Sequence, residues 1–218
     1  SDWSSDVCSS DLNGGTLSIS GGTSVAPTGT ISASGNITIS GSGAITNTGA
    51  TITSSTGTVS VTSTGSSISL GSAVSGAVIR MLPNTSYDGA GSLTASAGII
   101  SISGGSSVAP TGAIQATGNI TLSGTGQIST ATSATVKSTG GSVTITSSGA
   151  NVSLAKNVDA ATSIAITQST SYAGAGALTA GTTLSISGGT SVDPTGNLTS
   201  VGDMTISGSA RVTLSSIT

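Results

Sequence analysis

The sequence predicts an all-β fold: a parallel β-helix (β-solenoid), taken as a right-handed parallel β-helix although the pattern itself does not set the hand, of about ten coils of roughly 20 residues each. Three observations predict it. Apolar pairs at i and i+2 return about every 20 residues, long strings repeat at offsets of 83–85 residues, and the composition denies the chain any bulkier core.

The pairs run through the chain as Leu17/Ile19, Ile37/Ile39, Val59/Val61 and Ile100/Ile102, then Ile120/Leu122, Val143/Ile145, Ile164/Ile166, Leu184/Ile186 and Met204/Ile206. A spacing of two sets both side chains on one face of a strand. Ile31, Ile45, Ile52 and Ile68/Leu70 supply further short strands within a coil, and Gly, Asn and Pro-Thr-Gly clusters between them mark turns. A single strand of this kind cannot bury its apolar face. Coiling solves the problem, because each inward Ile or Val then rests on its counterpart one coil below. Neighbouring strands lie about 4.8 Å apart, so ten coils make a rod of roughly 45–50 Å. Small Ser, Thr, Gly and Ala suit tight corners, while the β-branched and Gly content disfavours helix. A roughly triangular cross-section is expected.

The longer period is carried by near-identical strings. ISGGTSVAPTG at 19–29 returns as ISGGSSVAPTG at 102–112 and ISGGTSVDPTG at 186–196. GNITISG from Gly35 returns as GNITLSG from Gly118 and GDMTISG from Gly202, and TSYDGAGSLTA from Thr85 returns as TSYAGAGALTA from Thr170. The chain thus holds about two and a half copies of a unit of about four coils.

Composition excludes the competing classes. Charged residues are 5%, aromatic residues 1%, and Phe and His are absent, so Ile, Val, Leu and Ala are the available core material. Disorder goes with low hydrophobicity and high net charge; here mean hydropathy is +0.34 and the net charge is −3. Four Pro are too few for a mucin-like stalk. Residues 1–12, SDWSSDVCSSDL, hold the sole Trp3, the sole Cys8 and Asp2, Asp6 and Asp11. That segment resembles a translated sequencing adapter and is expected to be a disordered artefact. Residues 13–218 are then a single solenoid array, a fragment of a longer protein, in which four Asp balance four cations and no Cys remains for disulfide, nucleophile or thiolate metal site. The longest apolar run, GAVIRMLP, is cut by Arg80, so no membrane-spanning segment is expected.

Candidate chemistry is sparse. Asp88, Asp159, Asp193 and Asp203 are each isolated; Asp88 aligns with Ala173, Asp193 with Ala26 and Ala109, and Asp203 with Asn36 and Asn119. A carboxylate exchanged for Ala or Asn between copies reads as a solvated turn residue, and without His the commonest base and metal ligand is missing. No catalytic residue, metal or cofactor is expected, and the chain is read as a non-enzyme. A polysaccharide-active alternative would require Asp88, Asp159, Arg80 and Lys156 to share one cleft. Four scattered cations form no basic stripe, so no nucleic-acid partner is expected. Sequons at Asn36, Asn84, Asn119, Asn151 and Asn197 read as turn Asn beside strand Thr or Ser. Tyr87 and Tyr172, each before Gly-Ala-Gly or its Asp/Ala-led equivalent, are the candidate ligand contacts if exposed to a sugar; the other reading is a loop aromatic over a coil edge. Thr-x-Thr at 46/48, 51/53, 62/64, 130/132 and 144/146 raises an ice-binding solenoid as a further alternative, although these pairs keep no fixed phase.

The strings GNITLSGTGQIST, LTAGTTLSISGG and GSVTITSSGANVSL resemble the repeats of filamentous-haemagglutinin-like exoproteins and autotransporter passenger domains. The resemblance implies a right-handed β-helix that is exported through an outer-membrane transporter to the bacterial exterior. It further implies an adhesin or adhesin shaft, with host or biofilm glycans or proteins as partners. Unpaired strand edges at the ends of such an array lead to the expectation that the isolated chain aggregates or stacks end to end.

Overall fold

The computed structural model describes the backbone of Asp11–Leu12 and all of residues 15–214. Every regular element in it is a β-strand, and every pairing between strands is parallel. The strands form three ten-stranded sheets, and each sheet takes every third strand of the chain. One coil therefore contributes one strand to each of three faces, the arrangement of a three-sided β-solenoid.

The second sheet carries the longest strands, among them Leu17–Ser20, Ile37–Gly41, Thr58–Ser63, Val78–Leu82, Ile100–Ser103 and Val143–Ser147. Its register stacks Ile37 on Leu17, then Val59, Ile79, Ile100, Ile120, Val143, Ile164, Leu184 and Met204 in one unbroken column. A second column two residues on runs from Ile19 to Ile206. From Ile37 to Ile186 these side chains are buried, and the residues between them face outward. Each buried Ile or Leu removes enough apolar surface to contribute about 1.5–3 kcal/mol. Four strands up from Leu17 the column reaches Ile100, and four more bring it to Leu184. The long repeat is thus four coils.

Ile79 and Met81 fill a gap in the pairs legible from sequence, between Val59/Val61 and Ile100/Ile102. Within the run GAVIRMLP, Val78–Leu82 is a strand whose Arg80 points to solvent while Ile79 and Met81 point in. The first sheet adds a column of Ile31, Ile52, Val74, Leu93, Ile114, Val136, Val158, Leu178 and Leu198.

Two devices turn the corners. At Ser54, Ser63, Ser138 and Ser147 a buried serine ends a strand. The Ser138 hydroxyl donates to the Gly118 carbonyl at 2.7 Å and accepts from the Gly141 amide at 2.9 Å, and Ser54 does the same with Gly35 and Gly57. A polar group inside the corner is thereby satisfied on both sides. At Gly104–Gly105 and Gly188–Gly189 the backbone takes φ of +112°, +74°, +94° and +68°. Only glycine adopts such angles without strain, which is why the repeated string keeps its Gly-Gly.

Asp11 and Leu12 pair in parallel with Ser32 and Ala33, so these two residues continue the first sheet instead of standing apart from the array. The expectation for residues 1–10 lies outside the described residues.

Candidate functional site

Tyr87 and Tyr172 occupy the third sheet, in strands Ser86–Gly89 and Ser171–Gly174. The structure corrects the expectation that they are surface aromatics: both side chains are 0% exposed. Tyr87 stacks between Ile68 and Val108, and Tyr172 between Val152 and Val192. The glycine two residues on makes the room. A Cβ on Gly89 would lie 3.0 Å from the Tyr87 hydroxyl, and one on Gly174 would lie 2.7 Å from that of Tyr172. Neither phenol is open to a sugar, and neither hydroxyl has a hydrogen-bond partner. The alternation in Ser-Tyr-x-Gly, with Tyr on the phase of the neighbouring Ile and Val, was the available signal.

Burial drives both phenol pKa values far above the usual tyrosine range, and the Asp88 charge adds to the rise at Tyr87. The neutral phenol is the form the fold prefers, so its contribution to stability is complete below about pH 10 and fades as pH rises beyond it. Phenolate absorbance is expected to stay absent at about pH 11 while the β-sheet signal persists, and to appear only as the fold melts. Tyrosine ionisation near pH 10 in the folded protein would contradict the buried placement.

The charged residues are dispersed. Arg80 lies on the outer face of the second sheet, Asp88 on that of the third and Asp159 on that of the first, with Lys156 in the turn before Val158–Ala160. Arg80, Asp88 and Asp159 therefore face three different sides of the solenoid, and only Lys156 lies near Asp159, so the four do not share one cleft. Lys137 and Asp159 are register neighbours on the first sheet. Asp193 accepts a hydrogen bond from Arg211 at 2.6 Å, and that bond holds its carboxyl below the usual carboxylate range. Asp203 is exposed at a corner. Among the described residues no three His, Cys, Asp or Glu groups are placed to hold a metal ion, and no helix is long and apolar enough to cross a membrane. A recess of about 300 Å³ between Ser169, Gly188, Thr190, Ser207 and Ser209 holds no charged or aromatic group.

The Asn36 and Asn119 side chains cap the next coil: their Oδ1 atoms accept from the amides of Thr58 and Ser142, each at 2.9 Å. This is the turn role expected of them. The Thr-x-Thr pairs scatter over all three sheets, and Thr130 is buried. A more regular feature was hidden by reading Thr alone. The outward positions of the second sheet form two ranks, Ser18 to Thr205 and Ser20 to Ser207, stacked at the strand spacing of about 4.8 Å. Apart from Arg80, Leu82 and Ala165, every residue in these ranks is Ser or Thr.

The columns, corners and faces define a β-solenoid repeat protein. Compared with protein-family models, curated proteins and solved structures, the chain matches none of them.

Proposed function

We propose that the chain is a structural shaft segment of a bacterial secreted or surface-exposed adhesin-like repeat protein, acting by extension and contact and not by catalysis. The observation that carries this reading is the unbroken inward column from Leu17 to Met204. It makes a stiff rod of roughly 45 Å with faces of small neutral residues. The resemblance of its repeats to exported haemagglutinin-like proteins supports an outer-membrane transporter as the export partner, and host or biofilm glycans or proteins as the contacted surface. Few charges, and contacts confined to adjacent coils, suit coil-by-coil folding after export. Antibodies raised against residues 13–218 are expected to label intact cells that make the protein, and external protease should abolish that labelling. Labelling only after lysis would overturn the proposal.

A second reading is favoured by the Ser/Thr ranks of the second sheet: a face that binds ice. Thermal hysteresis in a solution of the purified chain would favour it over the shaft, and its absence would remove it.

A further inference from the structure

The long repeat supplies an internal control for surface residues, because coil-equivalent positions can be compared within one chain. In strand Val78–Leu82 all three outward residues depart from the pattern of the face. At the equivalent places in strand Ile164–Gln168 and the corner before it stand Ser163 for Val78, Ala165 for Arg80 and Thr167 for Leu82. In the next coil Ile99 stands where Thr183 does in the later copy. Leu82 is 42% exposed and Arg80 is exposed, while Val78 at the other end of the strand and Ile99, level with Val78 one coil on, are half-buried. A single exposed aliphatic residue needs no explanation. Here two aliphatics flank a cation along one strand, and a third aliphatic stands at the corner before the next strand, on a face whose other outward residues are nearly all small and polar, the anatomy of a small interaction centre with a polar rim.

We propose that Val78, Arg80, Leu82 and Ile99 form a docking surface for a protein segment that brings an aliphatic side chain and a carboxylate. Charge complementarity selects the occupant. Arg80 has no ion-pair partner among the described residues, its own outward rank from Ser18 to Thr205 contains no carboxylate, and the one acid of the face, Asp203, lies six coils away. An incoming acid therefore meets a guanidinium with its fork of donors free. A second copy, which carries Asp203 exposed in the same line as Val78 and Ile99, is the other occupant, and self-association that is lost in the double variant below, without binding of the acidic peptide, would overturn the proposal in its favour. The patch holds no aromatic ring, since both tyrosines are in the core, so an aliphatic side chain and not a sugar ring fits it. The flanking Ser and Thr hydroxyls supply hydrogen bonds to the segment's backbone.

The proposal stands apart from the shaft reading and is tested on the purified chain. The probe is a fluorescein-labelled (Leu-Glu)4 peptide, followed by anisotropy beside (Ser-Glu)4 and (Leu-Lys)4. The expected result is affinity for (Leu-Glu)4 at least about tenfold tighter than for either control. The double substitution Arg80→Ala with Leu82→Thr copies what Ala165 and Thr167 already do in the fold, so melting is expected to be unchanged while (Leu-Glu)4 binding falls at least about tenfold. Equal affinity for the three peptides, no binding, or undiminished binding by the double variant would overturn the proposal. Patch-dependent binding of oligogalacturonate without (Leu-Glu)4 binding would overturn it in favour of an acidic glycan.

Discussion

Replacing Ile145 by Asp is expected to cost at least about 4–5 kcal/mol and to melt the coils around it, whereas Thr144→Asp changes stability by less than about 0.5 kcal/mol. The two residues are chain neighbours on opposite faces of strand Val143–Ser147. Ile145 is fully buried between Leu122 and Ile166 in the inward column. A carboxylate there finds no cation and no water, and the cost falls on both adjoining coils because each packs against this position. Thr144 lies half-exposed in the outward rank, where a charge stays solvated. Thermal melts of both variants by circular dichroism check the contrast. Similar melting of the two would mean that the in-and-out alternation is wrong.

Gly126→Ala carries a comparable penalty for a different reason. A Cβ at Gly126 would run into the backbone carbonyl oxygen of Ser106 in the coil below, and one at Gly43, 83 residues earlier, into that of Thr23. Neither obstacle is the tip of a flexible side chain. The backbone itself must move, which breaks the even stacking of coils at that corner. A loss of roughly 3–5 kcal/mol is expected, against about 0.5–1 kcal/mol for Thr125→Ala at the exposed neighbouring position, which loses only the hydroxyl's hydrogen bond to the Gly105 carbonyl. Chemical denaturation of the two variants is the measurement, and equal midpoints would contradict the close approach.

Most of the fold could be read in the sequence because a solenoid repeats its instructions. The pairs Leu17/Ile19 to Met204/Ile206 mark one inward face directly, and the recurring ISGG string marks a corner that demands left-handed backbone. What stayed hidden were residues whose chemistry contradicts their location. Arg80 masked the pair Ile79/Met81, since a cation inside an apolar run reads as an interruption unless the alternation is already known. Ser138 and Ser147 look like surface residues, yet they sit inside corners where the hydroxyl replaces two missing backbone partners. Tyr87 and Tyr172 were expected outside because a phenol usually keeps its hydroxyl wet, and here the space vacated by a glycine draws the whole ring in. The patch around Leu82 emerges only once the register shows which residues share the outer face, because Ile99 is 17 residues from Leu82 in sequence.

Spin labels at outward positions of the second sheet test the coil stacking most directly, with Cys8 first replaced by Ser. Ser20, Ser103 and Ser187 share one rank, on the first, fifth and ninth strands of that sheet. Stacking at about 4.8 Å per coil predicts a separation of about 19 Å for the Ser103–Ser187 pair and about 38 Å for the Ser20–Ser187 pair, both narrowly distributed. Broad distributions, or two separations that fail to stand in a ratio of about one to two, would contradict the continuous column on which the rod depends.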